Sequence, residues 1–457
     1  RFLLQERIAS IDAFAGPHKA PRAPGDPQPM LDRFGLAEAR SDVRTEVQAG
    51  VATFMAMAYI VVVNPAILAD AGMDSGAVFV ATCLAAALGS VLMGVLANYP
   101  VALAPGMGQN AFFTYGIVIG AGQPWQTALG AVFVSGVIFV ALSVLPVREW
   151  LINAIPRSLK YGIAAGVGLF IGFIALKNAG IVVDDAATLV AFGDLAAAGP
   201  LLAIAGFVLI VGLSARGVTG AVLFGILAVT VVGWLVGAAQ FGGIVSLPPD
   251  PRPILGQLDI GAALQWSMVT VILTLLLVDV FDTAGTLVGV AARSGLMTPD
   301  GHLPRLRSAL LSDSGATLAG AVLGTSSTTS YIESGAGVAA GGRTGLTAVV
   351  TGGLFLACLF FAPLAGSVPA FATASALLFV ATIMARALAD VDWEDYTEYA
   401  PAVVTALAMP LSFSIADGIG LGFISYALTK ALAGRPGDCP LAVWVVAAIF
   451  AAKFLLL

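Results

Sequence analysis

The sequence predicts an all-α polytopic membrane protein of 14 transmembrane segments, arranged as two inverted seven-segment repeats. The prediction rests on the composition, on the spacing of the apolar stretches and on the distribution of positive charge. Hydrophobic residues make up 59% of the 457 residues and charged residues 11%, with a mean hydropathy of +0.96. Because a soluble domain carries about 25% charged residues, this composition excludes a soluble enzyme.

The charge and the cysteine and histidine content argue against a nucleic-acid-binding protein, a disulfide-rich protein and a metalloprotein. The formal net charge is −6, and no basic tract suggests a nucleic-acid partner. Cys83, Cys358 and Cys439 lie far apart and form neither a disulfide framework nor a metal-binding pattern. His18 and His302 are each solitary, so we expect no metal site.

From about residue 47 the chain is a succession of apolar stretches, preceded by a polar, Pro-rich tail over residues 1–46. A helix needs about 20 residues to cross the ~30 Å hydrocarbon layer. Regular spans are predicted at 47–69, 76–97, 124–145, 157–177, 197–214, 218–238, 263–283, 306–323, 344–363, 370–388, 399–413 and 417–432. Residues 433–457 form an apolar tail that either spans the membrane or lies at its interface.

Two further stretches, 101–118 and 325–342, are rich in Gly, Pro, Ser and Thr. We interpret each as an extended piece followed by a short helix, and they are the third and tenth of the 14 segments. Because they lie seven segments apart and seven is odd, the two halves of the chain are inverted in the membrane. Paired, broken segments at matching places in inverted halves are typical of a transporter's binding site.

The distribution of Lys and Arg supports this count. If the N-terminus is cytoplasmic and all 14 segments cross, 18 of the 21 Lys and Arg residues fall on the cytoplasmic side. Only Lys177 and Arg252 fall on the opposite side, and Lys453 is unassigned. The asymmetry predicts that all 14 segments cross with both termini in the cytoplasm, and we expect the protein in a bacterial-type inner membrane.

Non-helical backbone in a membrane is tolerated only when its N–H and C=O groups are buried in protein or line a cavity. We therefore expect residues 104–114 and 324–337 to form short antiparallel strands near the midplane, each leading into a half-helix. The N-termini of the half-helices would offer N–H donors and partial positive charge to a ligand. The alternative is a pair of kinked helices that bind nothing.

Two polar side chains fall where these strands would become helices. Glu333 lies at this place in the tenth segment and Asn110 at the corresponding place in the third. An acid at membrane depth is costly and usually faces a cavity or a partner. Glu333 could instead cap its helix or pair with Arg343, and Asn110 could be a helix cap.

Asp279 and Asp282 are spaced i, i+3 in the eighth segment, so both are expected on one helix face. Two like charges this close at low dielectric cannot both stay ionised cheaply, so one group is expected to carry a proton near neutral pH. That property suits a proton-coupled carrier. Asp282 could instead be structural, and Asp313 in the ninth segment is interpreted as structural.

Three motifs carry a family resemblance. They are Ala104-Pro-Gly-Met-Gly-Gln-Asn-Ala-Phe-Phe, Asp279-Val-Phe-Asp-Thr-Ala-Gly-Thr-Leu and Thr328-Thr-Ser-Tyr-Ile-Glu-Ser-Gly-Ala-Gly-Val-Ala-Ala-Gly-Gly-Arg-Thr-Gly-Leu-Thr. Together they resemble the AzgA-like purine permeases, a branch of the nucleobase–cation symporter superfamily that also holds the uracil and xanthine permeases. Gln109 is a departure, because a smaller or aliphatic residue would be common at its place in the motif.

The resemblance implies a core domain, with residues 47–146 and 263–364, and a gate domain, with residues 147–240 and 367–432. It implies proton-coupled import of adenine, guanine or hypoxanthine by an elevator-like shift of core against gate. It also implies a homodimer, with the proton gradient as the energy source and no cofactor.

The resemblance also implies site residues. Asp279 and Glu333 would bind the purine, and Asn110 would support the site between the third, eighth and tenth segments. Ala111 and Ile332 adjoin these residues and are assigned to the substrate site. Thr283 is assigned to proton coupling or support together with Asp282 and Glu333.

Other functions stay open at this point. The same fold could carry another nucleobase, such as uracil or xanthine, or a small organic or inorganic anion, although acids at the site would repel an anion. A membrane enzyme or a channel is the remaining hypothesis. The sequence shows no Ser/His/Asp set and no metal cluster, so we expect that the protein is not an enzyme.

Overall fold

The computed structural model describes residues 32–144, 155–297 and 303–456, which are mainly helical. The predicted tail up to residue 31, the beginning of the predicted 147–240 range and the two histidines lie outside the described residues.

The first half of the described chain runs from α1 to α8 with three strands. In order, the elements are α1 (Val43–Met57), α2 (Ile60–Ala69), α3 (Ser75–Leu92), β1 (Leu103–Pro105), α4 (Met107–Ala111), α5 (Trp125–Val144), α6 (Arg157–Asn178), β2 (Val182–Asp185), β3 (Leu189–Phe192), α7 (Ala198–Ala215) and α8 (Ala221–Leu235). Two π-helical stretches, Met93–Ala97 and Phe112–Gly120, continue α3 and α4.

The second half runs from α9 to α18 with one strand. In order, the elements are α9 (Ile260–Ala263), α10 (Val269–Ser294), α11 (Leu306–Leu323), β4 (Thr328–Ser330), α12 (Gly335–Ala339), α13 (Gly345–Cys358), α14 (Ala362–Gly366), α15 (Ala370–Ala385), α16 (Tyr396–Ser412), α17 (Ile415–Leu432) and α18 (Leu441–Leu456). Short 3₁₀ turns, among them Ile332–Ser334, link several of them.

The described residues contain nine helical stretches that are long and apolar enough to cross a membrane. Each overlaps one of the twelve predicted regular spans. The other three predicted spans are also helical, as α8, α11 and α16. Helix formation at the predicted stretches is confirmed, while the count of 14 crossings stays a prediction.

Strands β1 and β4 come from the two broken segments and pair with each other in antiparallel register, with Leu103 opposite Ser330 and Pro105 opposite Thr328. Hydrogen bonds continue beyond the strand ends, since Tyr331 N–H donates to the Ala102 carbonyl over 3.0 Å. All six strand residues are buried. The predicted pair of short strands in the third and tenth segments is therefore confirmed.

The helices pack into two groups. One group contains α1 to α5 and α10 to α13, and it surrounds the β1–β4 pair. The other contains α6 to α8 and α15 to α17, with α6 packed against α15, α16 and α17. A second strand pair, the β2–β3 hairpin, follows α6 and was not expected from the sequence.

A buried charge joins three helices of the second group. The Lys430 ammonium on α17 is 1% exposed and lies 2.6 Å from a carboxylate oxygen of Glu398 on α16. The same carboxylate accepts hydrogen bonds from Ser158 on α6 and Tyr426 on α17. Because removing one partner of a buried pair leaves an uncompensated charge, this contact holds the three helices in one arrangement.

At the start of α16, the Asp395 side chain caps the helix outside the apolar stretch. The Thr397 hydroxyl and amide N–H, together with the Arg435 guanidinium, hold the pKa of this carboxyl below its usual range. A lowered pKa contributes stability above the ordinary carboxyl pKa, and this contribution is lost as the pH falls through the folded-state value.

A buried carboxylate also fixes the start of α13. Glu46 on α1 accepts hydrogen bonds from the backbone N–H of Arg343 over 3.0 Å and from the Thr347 hydroxyl over 2.5 Å. Its side chain is fully buried. Glu46 therefore joins α1 to the start of α13, where the Asn98 side chain also accepts a hydrogen bond of 2.6 Å from the Gly345 N–H.

We predict that Glu46→Gln lowers the free energy of unfolding by about 1–3 kcal/mol, because a charge-assisted acceptor is lost and a buried N–H is left without a partner. Thermal unfolding in detergent measures the change. Glu394→Gln, at an exposed residue, serves as the matched control and should stay within about 0.5 kcal/mol of the wild type. Equal stability of the two variants would contradict the role of Glu46.

Candidate functional site

The β1–β4 pair brings the ends of both broken segments against the middle of α10. Glu333 lies in the 3₁₀ turn that follows β4, and its Oε1 accepts a hydrogen bond of 2.8 Å from the Tyr59 hydroxyl. Arg343 donates instead to the carbonyls of Val338 and Gly342. The alternative pairing of Glu333 with Arg343 is therefore not what the structure shows.

Around Glu333 several residues are accessible at the surface, and we call this accessible region the opening. Asp282 on α10 is exposed, Ile332 is 54% exposed and Glu333 is partly exposed. Added Cβ atoms at Gly285 and Gly289, further along α10, would meet open space. The carboxyl groups of Asp282 and Glu333 thus face an opening that a ligand can reach.

Asp279 lies one turn earlier on α10 and is fully buried. Its Oδ1 accepts a 3.0 Å hydrogen bond from the Gln109 amide, and its Oδ2 accepts a 3.2 Å bond from the Thr317 hydroxyl. The i, i+3 pair is therefore not equivalent, because Asp282 faces the opening and Asp279 is enclosed.

A second buried carboxyl, Asp313 on α11, holds β4 in place. It accepts hydrogen bonds of 2.8 Å from the Ser330 backbone N–H and 2.7 Å from the Ser330 hydroxyl. Its other oxygen accepts from Thr283, whose hydroxyl also contacts the Thr329 hydroxyl at 2.8 Å. Thr283 thus supports the strand pair from α10, and the structural interpretation of Asp313 agrees with these contacts.

Asn110 and Ala111 lie on α4 and are buried. The Asn110 carbonyl oxygen accepts a hydrogen bond from the Ser326 hydroxyl, and its Nδ2 has no partner. Several buried polar atoms beside the strand pair also have no partner among the described residues: Asn64 Oδ1, Gln109 Oε1, Thr114 Oγ1, Ser327 Oγ and Thr328 Oγ1. Because buried polar groups are nearly always hydrogen-bonded, the crossing of the broken segments has unused donors and acceptors.

The four carboxyl groups at this crossing have no cationic partner in the part of the chain that the structure describes. Its ion pairs involve other acids. Asp279, Asp282, Asp313 and Glu333 are held by hydroxyl, amide and backbone donors instead or face the opening. The region around the crossing therefore presents acceptors and negative charge.

The two helix groups are in contact elsewhere, where the end of α2 and the π-helical stretch after α4 meet the end of α6. The Tyr115 hydroxyl donates to Asp70 over 2.5 Å and accepts a weaker bond of 3.4 Å from Asn178 at the end of α6. The Phe413 ring packs edge-on against Tyr115 and against Phe170. The two helix groups thus touch at these ends, and beside Asp282 the Lys160 ammonium of α6 lies 5.5 Å from the centre of the Phe281 ring of α10.

Several functional candidates were missed or undervalued by sequence reasoning. Tyr59 and Thr317 carry no signal, since an aromatic residue and a threonine are ordinary in apolar helices. Gln109 did carry one, because an amide in an apolar run must find a buried partner.

The chain is similar to a known protein family and to named members of it. The Permease family model Xan_ur_permease matches residues 44–421. The adenine permease AdeP of Escherichia coli K12 is 49% identical over 427 residues, which cover 93% of this chain and 96% of that protein. The guanine/hypoxanthine permease PbuO of Bacillus subtilis 168 is 44% identical over 425 residues, which cover 91% of this chain and 98% of that protein.

Solved structures show the same fold at low identity. The transmembrane domain of the cyanobacterial bicarbonate transporter BicA superposes with a TM-score of 0.59 at 14% identity, covering 82% of this chain and 96% of that one. The murine anion transporter Slc26a9, in its inward-facing state, superposes with a TM-score of 0.60 at 10% identity, covering 93% and 75%.

We predict that Asp313→Ala destabilises the protein by about 2 kcal/mol or more, because the donors of Ser330 and Thr283 lose a buried acceptor and each unsatisfied group costs about 1–3 kcal/mol. Thermal unfolding reports the loss. Asp184→Ala, at an exposed acid of the β2–β3 hairpin, is the control and should unfold close to the wild type. An unchanged midpoint for Asp313→Ala would refute the anchoring role.

Proposed function

This chain belongs to the Permease family and is a transporter rather than an enzyme, and from this premise we propose that it imports purine nucleobases together with protons. The family expected from the sequence motifs is confirmed. The observation that carries the proposal is the pair of carboxyl groups, Asp282 and Glu333, that faces the opening beside the crossed broken segments.

The chemistry of a purine suits these groups. A purine presents ring N–H donors and an exocyclic group in one plane, and carboxylates accept from N–H groups. The adenine and guanine/hypoxanthine permeases named above are relatives of high identity, and purine is the substrate class that their names share. We assign the contacts to Glu333 and Asp282, with Asp279 available after local rearrangement and Ile332 beside the ligand.

Proton coupling is supported by the uncompensated acids. An acid at membrane depth without a cationic partner is expensive as an anion, and four such groups lie around one crossing. A proton that enters with the purine would neutralise one of them. We therefore propose symport, with Asp282, Glu333 and Thr283 in proton coupling or support and the proton gradient as the energy source.

The two helix groups are proposed as core and gate domains. They are in contact through Tyr115 and Phe413, while Asp282 near the other end is exposed, which supports an elevator-like shift of core against gate. The strand-then-helix order of both broken segments supports the inverted repeat of 14 crossings. With the charge asymmetry of 18 against 2, we place the opening and both termini on the cytoplasmic side.

The proposal includes a homodimer in a bacterial-type inner membrane. An inorganic anion is disfavoured as the substrate, although the fold is shared with anion transporters. At the opening the chain presents two acids, and an anion would be repelled there by Coulomb interaction.

We predict that adenine, hypoxanthine or guanine stabilises the purified protein and that Glu333→Gln abolishes this effect. A ligand that binds only the folded state adds about 2.7 kcal/mol at 100 times its Kd. Thermal unfolding measures this stabilisation with each ligand in turn. The panel contains the three purines, uracil, xanthine and, as an anion, bicarbonate. Uptake in cells should also stop when a protonophore is added.

The control for this experiment is Glu394→Gln, which changes an exposed acid in the same way. It should keep both the shift and the uptake. Stabilisation by bicarbonate without any purine effect would reject the substrate class, and protonophore-resistant purine uptake would reject proton coupling alone.

We predict that Tyr115→Phe weakens the contact between the two helix groups at Asp70 and Asn178, because the Tyr115 hydroxyl links these two side chains. In a chain whose three cysteines are replaced by serine, Thr373→Cys reports access beside Asn178. Labelling from outside by an impermeant maleimide should accelerate about fivefold, as loss of a ~1 kcal/mol hydrogen bond implies. Tyr399→Phe is the control, and equal labelling rates would argue against this closure.

A further inference from the structure

We propose that Gln109 is a specificity-determining residue whose side-chain amide reads the N6–N7 edge of adenine. This inference rests on the proposed function and narrows it to a preference for adenine over 6-oxopurines. The observation behind it is that the Gln109 side chain is 1% exposed and that only one of its two polar atoms has a hydrogen-bond partner.

The amide has a fixed orientation. Its Nε2 donates to Asp279 Oδ1 over 3.0 Å, and its Oε1 has no hydrogen-bond partner in the described part of the chain. Because both Asp279 oxygens accept hydrogen bonds, from Gln109 and from Thr317, a flipped amide would set Oε1 against an oxygen that acts as an acceptor. Asp279 therefore fixes the amide so that Oε1 points away from the acid as an acceptor, while one Nε2 hydrogen remains for another partner.

The amide oxygen is enclosed, yet the side chains around it in the described part of the chain donate nothing to it. A Cβ at Gly106 would lie 3.2 Å from Gln109 Oε1 and 2.9 Å from a methyl carbon of Thr329. Glycine at this position keeps that space free at the entrance of α4. The next residue on α4, Asn110, also has an Nδ2 without a hydrogen-bond partner in the described part of the chain.

An amide in this orientation matches adenine. A glutamine pairs with adenine in a bidentate way, donating an N–H to N7 and accepting from the N6 amino group. Hypoxanthine and guanine carry O6 in place of the amino group, so Oε1 would face a second acceptor. A buried polar group left unpaired in this way corresponds to about 10- to 100-fold in affinity.

Competition against labelled adenine uptake tests the inference. The competitors are unlabelled adenine, hypoxanthine and 7-deazaadenine, which has a carbon in place of N7. For the wild type we expect hypoxanthine and 7-deazaadenine each to compete about tenfold or more worse than adenine. In Gln109→Leu, both ratios should fall towards one, because the amide that distinguishes the bases is gone.

A merely structural role would lower the uptake of all bases in parallel and leave the ratios of the wild type in place, and that result would overturn the inference. Gln109→Met, of similar length, repeats the test with a second side chain. If neither variant folds, the wild type alone decides, since equal competition by 7-deazaadenine or a preference for hypoxanthine refutes adenine reading. A wild type that imports no purine would overturn the proposed function and this inference with it.

Discussion

The antiparallel contact between β1 and β4 is the interaction on which the site depends. Strand residues cannot satisfy their own N–H and C=O groups, and a membrane interior offers no water to replace the partner. Each broken segment therefore needs the other, and a fold with only one of them would leave a buried backbone unpaired. This requirement brings the third and tenth segments to one place, which no apolar packing alone would specify.

The strand pair also separates the acids into two environments. Asp313 accepts from the Ser330 backbone, and the Thr317 hydroxyl lies within hydrogen-bonding distance of both Asp279 Oδ2 and the Thr328 carbonyl, so the buried acids are tied to the strands directly or through one hydroxyl. Glu333 lies just beyond β4 and faces the opening with Asp282. The acids that fix the scaffold are thus enclosed, and those left for a ligand are accessible.

Much of this arrangement could be predicted from the sequence because it follows from composition and spacing. The length of the apolar stretches predicted the helices. The Gly, Pro, Ser and Thr residues of two stretches predicted the strands and the position of Glu333 after the second of them. The different burial of Asp279 and Asp282 could not be predicted, because one turn of a helix decides it and the neighbours come from distant segments. Tyr59 reaches Glu333 from the start of α2 and Thr317 reaches Asp279 from α11, contacts that no local pattern indicates.

A shared fold does not fix what is carried, because function depends on the residues placed at the site. In this chain the crossing of the broken segments follows from backbone hydrogen bonding and needs no ligand. What distinguishes this chain is the set of side chains around the crossing, which present carboxylates and an amide. Carboxylates accept N–H groups and repel anions, while a fixed amide adds one donor and one acceptor in a plane. That combination suits a flat heterocycle with alternating donors and acceptors, which is the substrate class that we propose for this chain on a scaffold shared with anion transporters.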